Sequence, residues 1–227
     1  MAGDRDCLWG CVMRRIACGL LVLGTGLGIT LLARERHGPY EGQSTGEASR
    51  QLLAEHEIIL HVLNAVQAEA HHGRQGFDMD QNLVRQFLDF SRNFIDRCHH
   101  AKEERYYFPA AQVYIGQRVY GLIDELETEH TYGRSILDEI DYLLTGDASA
   151  VAQPIAERLT AYVDMLRRHI RKENEQLYRK AGTFLPRTEE RALALGFDRV
   201  ENVDLGPGFH ERYHNLAEEL SESSSLR

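Results

Sequence analysis

Two copies of one pattern carry the residues of this chain best suited to chemistry: His99 with Glu103 in HHAKEE, and His169 with Glu173 in HIRKEN. Residues four apart on a helix share a face, so each H-x-x-x-E pair is a preset clamp of one imidazole and one carboxylate. An apolar stretch carrying Glu-His precedes each clamp, with Glu55-His56 in LLAEH and Glu129-His130 in LETEH. Together His56, His99, His130, His169, Glu103 and Glu173 offer more donors than one tetrahedral zinc can use, and they suit two octahedral ions bridged by carboxylates. A single H-x-x-x-E is ordinarily a solvated helix face. Two in register, each behind a Glu-His helix, point to metal, and the eleven histidines of the chain agree. Glu55 and Glu129 either orient the adjacent ligands or face solvent.

The elements that must position these residues are helices. Apolar residues recur at three and four through Leu52, Ile59, Leu63 and Val66, and the same period runs over about 79–111, 117–144 and 150–181. The breaks fall at AHHGRQG, near Pro109, and at TGDAS, where Asp147 or Ser149 can cap the next helix. Four such helices joined by short polar loops predict an all-α, up-down-up-down four-helix bundle with the candidate ligands on its facing positions. The chain is then a helix pair followed by a second, similar pair.

The phrases LLAEHEIILHVL, FIDRCHHAKEERYYFPA, LETEHTYGRSIL and LRRHIRKENEQLYRKA resemble the hemerythrin-like, or HHE cation-binding, family over about residues 50–181. The resemblance implies a non-haem di-iron site, oxo- or hydroxo-bridged, that meets oxygen, peroxide or nitric oxide. It implies that His56 and His99 hold one iron and His130 and His169 the other, with Glu103 and Glu173 bridging. Two departures from the marine oxygen carriers stand out. Arg134 occupies the place of a second third-helix histidine, and His169 pairs with Glu173 where those proteins have His-x-x-x-x-Asp, leaving Asn174 at the fifth position. His100 is the candidate replacement ligand. If it completes the His56/His99 iron, small ligands attack the His130/His169 iron, with Arg134 close enough to polarise them.

Outside the bundle, expected over 47–182, the uncharged run IACGLLVLGTGLGITLLA at 16–33 lies between arginines and is just long enough to span a bilayer. Residues 1–36 are therefore read as a membrane anchor or signal helix, with the domain on the extracytoplasmic side, and 37–46 as a linker. Residues 183–227 form a short helical extension with a disordered tail. Within it, His210-Glu211-Arg212-Tyr213-His214 spells the H-E-x-x-H of zinc proteases, but no third ligand of the usual kind follows, and a chance match in an amphipathic helix is the better reading. With 26 basic against 35 acidic residues and no basic stripe, the chain is no nucleic-acid binder. Cys98 reads as a buried small residue, and Tyr106, Tyr107 and Phe108 as core and rim packing. The functional expectation is a di-iron protein that binds, senses or slowly turns over a small oxidant. The rival is a non-catalytic iron-binding or oxygen-delivery module for a membrane partner.

Overall fold

The structure, a computed structural model, describes residues 46–225, the side chains of 148–149, 180–182 and 223–225 excepted; the apolar run at 16–33 lies outside them. The described residues are helical, with no strand. A first rod is α1 (Glu47–Arg74). The second begins as α2 (Gln81–Phe90), continues through π-helical stretches at Ser91–His100 and Glu103–Tyr107, and ends as α3 (Phe108–Ile115). The third is α4 (Tyr120–Leu143). The fourth runs from α5 (Ala148–Lys172) through a π-helical Glu173–Tyr178 into α6 (Arg179–Phe184). Then follow α7 (Arg187–Arg199), a π turn at Val200–Asp204, and α8 (Phe209–Ser225). None of the described helices is long and apolar enough to cross a membrane.

Local chemistry sets the joints. Asp80 Oδ1 accepts the backbone N–H groups of Asn82 (2.9 Å) and Leu83 (3.1 Å), an N-cap of the kind that contributes about 1 kcal/mol. The second rod does not stop near Pro109, as the sequence suggests. A π turn ends just ahead of it, which leaves the proline in the first turn of α3, where a missing N–H costs least. The π-helical stretches, which add a residue to the turn, coincide with the candidate ligands: one ends on His99 and His100, one starts at Glu103 and one at Glu173.

Along every rod an apolar cluster, then a polar layer, then a second apolar cluster follow one another. α1 passes from Leu52 through His56 to Ile59, and the second rod from Ile95 through His99 to Tyr107. α4 goes from Leu126 through His130 to Ile136, and the fourth rod from Leu166 through His169 to Leu177. One cluster holds Ile59, Ile95, Ile136 and Leu166, the other Leu52, Tyr107, Leu126 and Leu177, so the rods cross the layer in alternating directions. The extension covers both from outside. Leu193 and Phe197 join the second cluster, and Tyr213, Ala217 and Leu220 join the first, with α8 laid against α1 and α2. Glu190 on α7 also accepts the Ala48 N–H at 3.0 Å, capping α1 from a distance in sequence.

Phe197 is fully buried. Truncating it to Ala is expected to cost about 3–5 kcal/mol in urea unfolding, the usual toll for an aromatic side chain removed from a packed core. A cost below about 1 kcal/mol would show that α7 does not share the core.

Candidate metal centre

The polar layer is built from four imidazoles, His56, His99, His130 and His169, with Glu103 and Glu173, all at most 2% exposed. One imidazole comes from each rod. Their outer nitrogens are committed: Nδ1 of His56 to Asn174 Oδ1 (2.7 Å), of His99 to Glu55 Oε2 (2.8 Å), of His130 to Glu104 Oε1 (2.7 Å) and of His169 to Glu129 Oε2 (3.0 Å). An oxygen acceptor assigns the proton to Nδ1, so each Nε2 turns a lone pair inward. There the Nε2 atoms meet in pairs, His56 with His99 at 2.9 Å and His130 with His169 at 3.0 Å. Two facing lone pairs repel unless a cation or a proton lies between them.

The carboxylates span the two pairs. Glu173 sets Oε2 at 3.2 Å from His56 Nε2 and Oε1 at 3.1 Å from His169 Nε2. Glu103 sets Oε1 at 3.6 Å from His99 Nε2 and Oε2 at 3.6 Å from His130 Nε2. Donors about 3 Å apart are what neighbouring ligands on one ion present when each bond is roughly 2.1 Å. Two sets of four donors result, His56, His99, Glu103 and Glu173 on one side, and His100, His130, His169 and Glu103 on the other. The residues present therefore fit a pair of bridged cations.

His100 lies on the His130 side, not on the His56/His99 side expected from sequence. Its ring stacks on His130 with centroids 3.6 Å apart, and both its nitrogens are buried without a hydrogen-bond partner. The reason is rotation: one residue along a helix turns the side chain by roughly 100 degrees, from the α1 side toward α4. Arg134 lines a small cavity together with His100, His130 and His169, and its half-exposed guanidinium is tied to Asp96 (Nε to Oδ1, 2.7 Å) and Glu104 (Nη2 to Oε1, 2.8 Å).

Electrostatics follow from burial and neighbours. Burial drives His99 down to about 4 and holds His100 and His130 below the ordinary histidine value, so these imidazoles are neutral and ready to donate. His169 goes the other way. Burial alone would lower it, but Glu173 and Glu129 lift it to about 9. Glu103 is pushed well up, first by burial and then by the Glu173 charge alongside. Burial alone would raise Glu104 too, but the His130 N–H and Arg134 hold it at about 2. Burial pushes the Cys98 thiol up to about 12, which leaves it the inert core residue expected from the sequence.

Several contributors were not legible in the sequence. Glu55 and Glu129 orient imidazoles, but those of the neighbouring helix, His99 and His169, not the adjacent His56 and His130. Tyr178, fully buried, donates its hydroxyl to Glu103, and its ring packs edge-on to Tyr107 at 5.0 Å. Lys102 is fully buried between Glu55 and Glu201 (2.5 Å to Glu201 Oε1), and His210 Nε2 approaches Glu55 Oε1 at 3.5 Å. The recurring Lys before each Glu was the available signal: Lys172 likewise bonds Glu129 Oε1 at 2.5 Å. His210 is thus drawn into this ion pair. His214 faces Glu218 on the same helix at 3.6 Å, and no donor cluster among the described residues includes it, so the H-E-x-x-H builds no zinc site.

A buried set of imidazoles joined by two carboxylates defines a cation-binding helical domain. Among known families, residues 47–181 match the hemerythrin family, described as the hemerythrin HHE cation binding domain. The match covers more than half of the chain, and the protein belongs to this family. No curated protein and no solved structure matches it.

Proposed function

We propose that the protein is a di-iron protein of up-down-up-down four-helix architecture that binds, senses or slowly turns over a small oxidant such as oxygen, peroxide or nitric oxide. The observation that carries this reading is the double span of Glu103 and Glu173 across two facing Nε2 pairs. Alternation of the two apolar clusters along the rods supports the architecture. Iron bound here would supply one-electron chemistry toward such ligands. His56 and His99 would hold one ion, His100, His130 and His169 the other, and Glu103 and Glu173 would join them. The chain's own residues do the rest: Asn174, Glu55, Glu104 and Glu129 fix the rings, Tyr178 holds a hydroxyl proton on Glu103, and two apolar clusters exclude bulk water.

Metal analysis of protein purified without air should find about two irons per chain, and His99→Ala or His169→Ala should lose most of the metal. Stoichiometric zinc without iron from iron-replete cells would overturn the assignment. Because His169 at about 9 and the raised Glu103 compete for the same positions, loading near neutral pH should release at least one proton per chain, and affinity should rise with pH until about 9. Calorimetry in buffers of different ionisation enthalpy reads that proton. Equal heats in all buffers would contradict it.

We also infer that residues 16–33 anchor the chain in a membrane with this domain outside the cytoplasm, which rests on their uncharged composition. The full chain should partition with membranes and a chain begun at Gln43 should not. A soluble, uncleaved full chain ends that reading.

A further inference from the structure

We propose that Arg134 gates a loading path along which a divalent cation passes from the surface, by way of Asp96 and His100, to the His130/His169 donors. The inference rests on the metal-binding reading above. A small cavity with room for about one water-sized body lies against His100, His130 and His169 inside the domain. A wider, solvent-open vestibule lies outside, walled by Glu104, Arg105 and Asp204 among others. Asp96 and Arg134 line both, so they form the partition between them. Arg134 closes it by bonding Asp96 and Glu104 at once, both from the second rod, while its own backbone belongs to α4.

Donors are graded along this line. Asp96, partly exposed, sits at the mouth, and its Oδ1 is 3.6 Å from His100 Nδ1. His100 is 5% exposed and lines the cavity with neither ring nitrogen bonded. Behind it stand the inward Nε2 atoms of His130 and His169. A cation moving inward exchanges water for carboxylate and then imidazole, along the polar side of a cavity whose other walls are Leu137, Tyr162, Met165 and Leu166. The guanidinium, a fixed charge already seated between two carboxylates, is what an entering cation must displace. Gly133 is the opposite wall: a Cβ added there would stand 3.1 Å from Met165 Cε and 3.5 Å from Tyr162.

The test is stopped-flow uptake of Co(II) by the metal-free full chain at 0.5 M salt, which screens the loss of charge at the mouth. Arg134→Ala should load about tenfold faster, while Gly133→Ala, which favours the helix, should load severalfold slower, each still reaching the wild-type stoichiometry. Arg92→Ala is the control. It removes two ion pairs, to Asp138 and Asp141, between the same two rods and away from the cavity, and should leave the rate unchanged. Equal acceleration by Arg92→Ala would mean that general loosening admits the ion, and the gate is overturned. A drop in stoichiometry in Arg134→Ala would also overturn it, making Arg134 a positioning residue for Glu104 and His130. Wild-type protein that takes up no metal defeats the metal-binding reading itself, an outcome distinct from both.

Discussion

Glu103→Gln should abolish binding of at least one metal ion and yet make the metal-free protein more stable, by roughly 1–3 kcal/mol, whereas Glu173→Gln should abolish binding and destabilise it. The two carboxylates look equivalent in the repeat, but their surroundings divide them. Glu103 lies beside the charge of Glu173 in a buried layer, so burial and repulsion both oppose its ionised form. Glu173 is ionised despite the same burial because His169 and His56 stand against it. Glutamine at 103 removes a group that resists ionising and can still accept from Tyr178. Glutamine at 173 leaves the raised His169 without its main counter-charge. The sign follows from linkage. Glu103 holds its proton more tightly folded than unfolded, so what it contributes is present below the ordinary carboxyl range and lost as pH rises through its folded value. The gain from Gln should therefore grow with pH. Thermal melts of metal-free protein read the effect at about 2–4 °C per kcal/mol for a domain of this size. Parallel melting shifts for the two variants would refute the assignment of unequal roles.

The second large effect separates two lysines that the repeat makes equivalent. Lys102→Met should cost about 3–5 kcal/mol, because Glu55 would be left buried, and Glu201 half-buried beside it, without their cation. Glu55 itself illustrates the dependence: burial would raise its carboxyl, but Lys102 foremost, with His210 and His99, holds it well below the ordinary value. Lys172→Met should cost about 1 kcal/mol or less, since Lys172, Glu125 and Glu129 are partly open to water, which replaces the lost contacts. What differs is the cover supplied by the extension, with Phe197 5.9 Å from the Lys102 ammonium and Glu201 beside it. A double-mutant cycle of Lys102→Met with Glu201→Gln in urea unfolding should show a coupling above 1 kcal/mol. Equal costs at 102 and 172 would mean that the extension does not bury this pair.

The division between sequence and structure runs along the same line. Helical period and the i, i+4 clamps are properties of neighbouring residues, so the helices, the two-pair repeat and the set His56, His99, His130, His169, Glu103 and Glu173 could be read from the chain itself. Even His100 was a legible candidate. Which partner it faces was not, because that depends on how the second rod is rotated against α4, and a π-helical stretch shifts that rotation without any mark in the apolar pattern. Nor could the sequence assign Glu55 to His99 rather than to His56: adjacent residues on a helix point apart, and only the approach of α1 to the second rod decides whose ring the carboxylate meets. The H-E-x-x-H motif shows the limit most plainly. As a string it spells a zinc site, and packing instead sends His210 toward the Lys102–Glu55 pair, while His214 meets Glu218, four residues on along its own helix. Local spacing determines which donors a helix can offer. The lateral packing of helices, set by shape and burial over distant residues, decides which donors meet.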